Sequence, residues 1–341
     1  MARDVTARYT DPLAQVWVTA ARRIGLRVVR TPDAYAATDG HGTLAIGDAS
    51  TLDADDSLAQ MIFHELCHSL VEGEQSFTRA DWGMDNTGPD HDWREHACLR
   101  VQFVLTGRHG LRAVFAPTTD FRAFWDRLSG DVLADRTERS VVAAISALRR
   151  VALPPWAPAL GEALAATATI AAASACFAEP GTLWHGVTSP PALHPTGLPA
   201  GNGSCGTCAW RVANPRGGTD RCRQAAAKVD PAWPGCERYE AALACQTCGA
   251  CCRAAYHSVE VSRRDPVVKK QPAYVVDRTT YLEIIRAGDR CGALEGGRDD
   301  GTGHATRYGC VIYDDRPKTC RDFTLGSEHC LTARRRVGLS L

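Results

Sequence analysis

The chain has 341 residues, of which 45% are hydrophobic and 23% charged, with equal numbers of acidic and basic side chains. This composition excludes a disordered chain, and the length allows two domains of ordinary size. The start lacks the apolar segment of a signal peptide, and Gly161 and Glu162 interrupt the alanine-rich segment 157–178. We therefore expect a packed helix rather than a membrane span there, and a cytoplasmic protein with reduced cysteines.

Turn residues and apolar periodicity predict the elements of the first half. Asp11 can cap a first helix, Pro12 suits its first turn and Gly25 can end it. An apolar stripe at helical spacing predicts its buried face: Leu13, Val16, Trp17, Ala20 and Ile24. Three strands and four helices should follow, at residues 26–30, 34–37 and 43–46 and at about 57–71, 92–105, 139–150 and 158–178.

The second predicted helix contains the motif His64-Glu65-Leu66-Cys67-His68. Residues i and i+4 lie on one helical face, so the two histidines can bind one Zn²⁺ ion. Glu65 lies about 100° further round the helix, where it can take a proton from a water on that ion. Cys67 lies on another face and is expected to be buried rather than a ligand. The alternative is a pair of ordinary histidines on a surface helix.

The order of a helix, a small sheet, the HExxH helix and a second helix resembles the minimal core of the zincin metallopeptidases, over about residues 10–110. In the gluzincin branch of these enzymes, a glutamate from a following helix supplies the third zinc ligand. The resemblance implies Glu95 for this role, with 26 residues separating it from His68. Three neighbouring residues are alternatives: His91, Asp92 and His96.

The resemblance also implies a reaction. Three protein ligands would leave one open position on the zinc, and Glu65 would deprotonate a water there and pass the proton to a leaving amine. We therefore expect a zinc-dependent hydrolase, specifically a metallopeptidase with a peptide or protein substrate.

Cysteine content divides the chain, because only three of the 15 cysteines precede residue 204. The segment 179–203 holds five prolines and several glycines, which predicts a linker. We expect an α+β protein with a zincin-like domain at 1–178 and a small, irregular, metal-stabilised cysteine-rich domain at 204–341.

The two halves also differ in charge, with a net charge of −6 in residues 1–203 and +6 in residues 204–341. Metal-bound thiolates would offset the positive charge, and no basic stripe with interleaved aromatic residues indicates nucleic-acid binding. The run Arg334-Arg335-Arg336 is expected to be a solvated tail.

The core of the cysteine-rich domain, at 245–330, contains eight cysteines: Cys245, Cys248, Cys251, Cys252, Cys291, Cys310, Cys320 and Cys330. The opening CxxCGxCC and the closing C-x-I-Y-x-x-R-P-x-x-C-R-x-F resemble the YkgJ-type cysteine-cluster family of zinc- or iron-chelating CxxCxxCC domains. Adjacent Cys251 and Cys252 imply two neighbouring metals, or one ligand and one structural thiol. Zinc and iron, including an iron–sulfur cluster, both accept four cysteines, so the metal stays open.

A second set lies upstream, at 205–236, and comprises Cys205, Cys208, Cys222 and Cys236. Its CxxC turn and two equal gaps of 13 residues predict a separate four-thiolate Zn²⁺ site. The alternative is that these cysteines only pack the domain. Three histidines could replace a cysteine in either set: His257, His304 and His329.

Two other functions compete with the metallopeptidase. The first is a non-catalytic metal-binding or iron–sulfur redox or sensor protein with a degenerate zincin scaffold. The second is an interaction or nucleic-acid adaptor built on zinc-ribbon-like folds. The intact set of His64, Glu65 and His68 favours the enzyme, because a degenerate scaffold has no reason to keep a general base beside both ligands.

Overall fold

The structure is a computed structural model that describes residues 6–84, 92–118, 120–298 and 303–341. It combines helices with small sheets, so the predicted α+β class is confirmed. The chain forms two compact units: an N-terminal unit of Met1–Ser129 and Ala147–Pro191, and a C-terminal unit of Gly130–Ser146 and Ala192–Leu341. The junction at 191 and 192 falls inside the segment 179–203, whose role as a linker stays a prediction.

Helices dominate the N-terminal unit. In chain order, the elements up to residue 191 are α1 (Pro12–Ile24), β1 (Arg27–Thr31), β2 (Ala36–Thr38), β3 (Thr43–Gly47), α2 (Leu58–Glu72), α3 (Asp92–Gly107), α4 (Arg122–Arg127), α5 (Arg139–Arg150) and α6 (Ala159–Ala175). Strand β3 pairs in parallel with β1 and antiparallel with β2, which gives the order β1-β3-β2. Helix α5 begins in the C-terminal unit and ends in this one.

Helix α1 has the predicted ends. Asp11 caps it by accepting a 2.8 Å hydrogen bond from the amide of Ala14, and Pro12 is its first residue. Gly25 ends it at φ 108°, a left-handed conformation that glycine adopts without a Cβ clash. Four of the five residues of the predicted stripe are buried: Leu13, Trp17, Ala20 and Ile24.

Helix α2, which carries the HExxH motif, lies in the core of this unit. Phe63 packs against Trp17 and Phe115 with ring centroids 5.1 and 5.0 Å apart. The Nε1–H of Trp17 donates a 3.0 Å hydrogen bond to Thr167 of α6. Helix α6 is the packed helix predicted at 158–178, and no helix in the described part of the chain is long and apolar enough to cross a membrane. The motif therefore sits on a helix that its neighbours hold firmly.

Short elements make up the C-terminal unit. After residue 191 the elements are β4 (Ala200–Ser204), β5 (Arg211–Val212), β6 (Asp220–Cys222), β7 (Ala227–Val229), β8 (Pro234–Cys236), α7 (Cys245–Cys248), β9 (Glu260–Val261), α8 (Pro266–Lys270), β10 (Val275–Asp277), β11 (Leu282–Ile284), β12 (Arg286–Ala287), β13 (Arg290–Cys291), β14 (Leu294–Glu295), β15 (Gly309–Cys310), α9 (Lys318–Arg321) and α10 (Glu328–Arg336). Two three-stranded sheets, β5-β6-β7 and β10-β11-β9, and three strand pairs connect them.

Helix α10 corrects one prediction. The expectation of a solvated tail is wrong for Arg334, which is only 4% exposed. Its guanidinium forms an ion pair with Glu240 and donates hydrogen bonds to Ser340 and to the carbonyl oxygen of Leu339. The chain turns back after α10, so Leu339 and Ser340 cover the Arg334 guanidinium, which the sequence analysis expected to be exposed.

Candidate metal centres

Helices α2 and α3 bring three predicted ligands together. The Nε2 atoms of His64 and His68 lie 3.1 Å apart, because the two residues are one turn apart on the same face of α2. Glu95, in the first turn of α3, places Oε1 3.4 Å from Nε2 of His64 and Oε2 3.1 Å from Nε2 of His68. Within the part of the chain that the structure describes, these residues and Cys98 are the one group of His, Cys, Asp or Glu whose donor atoms all lie within 4.8 Å of one another.

Cys98 is the fourth member of this group, with its sulfur within 4.8 Å of donor atoms of His64, His68 and Glu95. Its Sγ is 3.8 Å from Nδ1 of His64, the ring nitrogen opposite the one that faces His68 and Glu95. Burial raises the pKa of the Cys98 thiol well above its usual range, and a hydrogen bond with Cys67 and the Glu95 charge act in the same direction. The raised pKa favours a neutral Cys98 thiol, which is a weaker metal donor than the imidazoles of His64 and His68 and the Glu95 carboxylate.

Two of the three alternatives to Glu95 lie outside this group. His96 stacks on Phe124 with ring centroids 3.9 Å apart, and Asp92 is an exposed residue at the start of α3. His91 falls outside the described residues. The geometry thus favours Glu95 among the candidates that can be compared.

Electrostatics ties the three donors together. Burial alone would lower the pKa of His68, but the Glu95 carboxylate outweighs it and raises the pKa to about 9. Burial would likewise raise the pKa of Glu95, but His68 and His64 hold it down to about 2. Oε1 of Glu95 is buried and has no hydrogen-bond partner among the described residues. Two imidazoles and a buried carboxylate with an unsatisfied oxygen fit a divalent cation such as Zn²⁺.

Gln102, which the sequence analysis missed, fixes the tautomer of His64. The amide Nε2–H of Gln102 donates to the carbonyl oxygen of Phe115, so its Oε1 must face His64. That oxygen lies 3.0 Å from Nδ1 of His64, which therefore carries the proton and donates it. The lone pair on Nε2 is left to face the other donors, as a metal ligand requires. Gln102 follows Glu95 by seven residues on α3, a spacing that could have indicated a shared face.

Trp82, also missed, holds the predicted general base. Its Nε1–H donates a 2.7 Å hydrogen bond to Oε2 of Glu65, and both side chains are buried. Asp81 and Trp82 adopt left-handed conformations, at φ 46° and 58°, which cost about 1–3 kcal/mol each for such residues. Strand β2 holds this turn, because Thr38 bonds both residues: its amide donates to Asp81 Oδ1 and its hydroxyl accepts from the amide of Trp82.

The glycine of the CxxCGxCC opening, Gly249, is required by the backbone conformation and the packing at that position. Gly249 follows α7 at φ 57°, and a Cβ there would lie 2.7 Å from the ring of Tyr308. The chain therefore reverses at glycine and presents Cys251 and Cys252 on a 3-10 turn, with their sulfur atoms 3.8 Å apart.

The eight cysteines of this core fall into two groups. Cys252 packs with Cys291 and Cys310 in one apolar cluster, whereas Cys251 packs with Cys248 in another. The electrostatic neighbours of the remaining three thiols extend this division, and burial followed by Cys248 and Cys251 raises the pKa of Cys330. Burial and then Cys291, Cys251 and Cys310 raise the pKa of Cys320 to about 12, and burial and then Cys251, Cys248 and Cys330 raise that of Cys245.

We define the Cys291 group as Cys252, Cys291, Cys310 and Cys320, and the Cys248 group as Cys245, Cys248, Cys251 and Cys330. Neighbouring thiols that oppose each other's ionisation are the arrangement that a bound cation reverses. Cys251 is also an electrostatic neighbour of Cys291, Cys310 and Cys320, so the two groups adjoin. This arrangement favours two neighbouring metals over one ligand and one structural thiol.

The upstream set also comes together, with an unexpected neighbour. The four cysteines line one pocket: Cys205, Cys208, Cys222 and Cys236. His194 lines it too, with Nε2 3.2 Å from Sγ of Cys205. Burial and then the three other thiols raise the pKa of Cys205 to about 11. The spacing of the cysteines did not indicate His194. Of the histidines that the sequence analysis offered as replacement ligands, His304 instead pairs with Asp135, at 3.4 Å.

Comparison with known proteins assigns one segment. Residues 244–335 match the family model described as "CxxCxxCC: Putative zinc- or iron-chelating domain". Neither the curated proteins nor the solved structures contain a match to this chain. The match supports the predicted zinc or iron chelation by this domain, while the zincin resemblance of residues 10–110 stays a prediction.

Proposed function

We propose that this protein is a zinc-dependent hydrolase, specifically a metallopeptidase, that carries a zinc- or iron-chelating module. The convergence of His64 Nε2, His68 Nε2 and the Glu95 carboxylate supports this proposal most strongly. Two histidines and one glutamate are typical of catalytic zinc, which keeps a position open, whereas structural zinc is enclosed by four protein ligands. Cys98 lies close to these three donors, but burial favours its neutral thiol, so we assign the fourth place to a water and not to Cys98.

The residues around these ligands have complementary roles. Zinc, when bound, supplies Lewis acidity and lowers the pKa of a water in its open position. Glu65 would act as the general base for that water and would deliver the proton to the leaving amine. Because Trp82 occupies Oε2 of Glu65, we assign proton transfer to Oε1. Gln102 accepts from Nδ1 of His64, so the Nε2 lone pair would be available to a metal ion.

The proposed substrate class depends on a different argument from the proposed zinc site. A helix that positions two histidines, a glutamate ligand and a glutamate base suits attack by water on a polarised carbonyl. A peptide or protein substrate is the choice that the resemblance to zincins implies. The nature of the side chains around the scissile bond is left to experiment.

Metal analysis and peptide hydrolysis together test the proposal. Zinc and iron per chain are counted in anaerobically purified wild-type protein, in His64→Ala/His68→Ala and in Glu65→Gln, and hydrolysis of a peptide library is followed by mass spectrometry. We expect the double variant to lose one zinc and all hydrolysis, and Glu65→Gln to keep the zinc and lose hydrolysis. Glu74→Gln, which alters an exposed carboxylate just after α2, is the matched control.

A non-catalytic chelating protein is the second candidate, and the family match at 244–335 favours it independently of the HExxH motif. It predicts that wild-type protein and Glu65→Gln are equally inactive on the whole library. Unchanged zinc content in His64→Ala/His68→Ala would remove the N-terminal site from both proposals.

A further inference from the structure

We propose that Cys205, Cys208, Cys222 and Cys236 form a closed four-thiolate zinc site, in which His194 donates a hydrogen bond to Cys205 and does not bind the metal. This site lies outside the matched segment 244–335. It does not depend on the proposed hydrolase, since none of its residues belongs to the N-terminal unit.

Strand pairing brings the four cysteines to one place. Cys205 follows β4 directly, and Cys236 ends β8, the partner of β4. Cys222 ends β6 and pairs with Arg211 of β5. Arg211 lies only three residues after Cys208, so this pairing brings Cys208 close to Cys222. Two antiparallel pairings thus supply two cysteines each to the same pocket.

A main-chain amide also donates a hydrogen bond to one of the four sulfur atoms. The amide of Ala225 donates a 3.4 Å hydrogen bond to Sγ of Cys222, three residues earlier. Such N–H···S contacts stabilise a thiolate, the form that binds metals. Four cysteines in one partly buried pocket would need a cation to be held together as thiolates, and four cysteines in a tetrahedral set are typical of structural zinc. No three of the four sulfur atoms all lie within 4.8 Å of one another, so zinc binding would require the sulfur atoms to move closer together.

Hydrogen bonding decides the role of His194. The main-chain amide of Thr196, which can only donate, lies 3.1 Å from Nδ1 of His194. Nδ1 therefore accepts, and the neutral imidazole carries its proton on Nε2. Because Nε2 faces Sγ of Cys205 at 3.2 Å, it donates to the sulfur and has no lone pair for a metal. This bond offsets thiolate charge and orients Cys205, which is how a residue next to a ligand strengthens a metal site.

Metal content in the full-length, metal-loaded chain tests both parts. We expect Cys208→Ser/Cys236→Ser to lose one zinc per chain with the other metals unchanged, and His194→Ala to keep its zinc but release it to a chelator about 10- to 100-fold faster. Cys176→Ser, which alters an exposed cysteine of the N-terminal unit, is the control. Loss of one zinc in His194→Ala would show that His194 is a ligand. If the double cysteine variant loses iron instead of zinc, or loses no metal, the proposed zinc site is wrong.

A measurement on unmodified protein covers the case in which the double variant does not fold. Alkylation by iodoacetamide is followed by mass spectrometry before and after a chelator is added. We expect Cys176 to react at once and the four cysteines of the site to react only after zinc is removed. Equal alkylation rates at all five cysteines in the metal-loaded chain would overturn the proposal.

Discussion

The indole Nε1–H of Trp82 donates a 2.7 Å hydrogen bond to Oε2 of Glu65, although the two residues are 17 positions apart in the sequence. The turn that carries Trp82 adopts left-handed conformations at two residues that are not glycine and is held by Thr38 at the end of β2. A backbone that costs free energy persists only where its surroundings impose it. This turn thus fixes one oxygen of the proposed general base and leaves the other for chemistry.

Trp82→Phe should lower kcat without lowering zinc content. The change keeps an aromatic ring but removes the donor to Glu65, and losing a partner of this kind beside a metal site costs about 10- to 100-fold. Trp156→Phe is the matched control, because it removes a buried indole hydrogen bond of similar length, 2.8 Å, to Ser69. Steady-state kinetics with zinc analysis should separate the two variants, and equal loss of kcat in both would reduce Trp82 to a packing role.

Gln102→Leu should weaken zinc binding by about 10- to 100-fold, because Nδ1 of His64 loses the acceptor that sets its tautomer. The control is Gln60→Leu on α2, since the Gln60 side chain is also buried and donates to a main-chain carbonyl, that of Ala116, and not to the His64 ring. Competition with a chelator of known zinc affinity gives both dissociation constants. If Gln60→Leu weakens zinc binding as much as Gln102→Leu does, the loss of affinity results from disturbed core packing and not from the lost hydrogen bond to His64.

Local patterns predicted what depends on neighbours in sequence. The caps of α1 at Asp11 and Gly25, and the shared face of His64 and His68, follow from helix geometry alone, and the structure shows them. The family match likewise rests on cysteine spacing within a short segment.

Distant contacts explain what the sequence analysis missed. Gln102, Trp82 and His194 act through hydrogen bonds to partners 38, 17 and 11 residues away, set by how elements pack. None of these residues belongs to a motif, so single-sequence periodicity carries no information about them. The burial of Arg334 has the same origin, because its partner Glu240 lies 94 residues away.

The division of the eight cysteines predicts how metal is lost from the cysteine-rich core. We expect Cys252→Ser and Cys291→Ser to lose the same ion, because both belong to the Cys291 group, so their double variant should lose only one. Cys251→Ser/Cys252→Ser should lose two ions, because it affects both groups. Elemental analysis of the anaerobic protein, with Cys176→Ser as control, counts them. A single shared cluster would instead lose all of its metal in every one of these variants.

The buried pair of Arg334 and Glu240 predicts a large effect on stability. Their side chains are 5% and 9% exposed, and Glu240 also accepts hydrogen bonds from Trp210 and Ser340. Arg334→Met removes the cation that is hydrogen-bonded to the buried carboxylate of Glu240 and leaves it the charge of Arg136 nearby, and breaking such a pair costs about 3–5 kcal/mol. Glu240→Gln in the same chain removes the carboxylate charge and keeps an oxygen for Trp210, so the double variant should be less destabilised than Arg334→Met.

Urea denaturation of the metal-loaded protein, followed by fluorescence, measures these differences. The control is Lys318→Met, because Lys318 pairs with Asp322 on the surface, where the side chains are 71% and 59% exposed. Solvent screens that pair, so its loss should change the free energy of unfolding by less than about 1 kcal/mol. A midpoint for Arg334→Met as high as that for Lys318→Met would show that α10 does not depend on the buried charge. A double variant less stable than Arg334→Met would show that Glu240 contributes chiefly through its hydrogen bonds to Trp210 and Ser340.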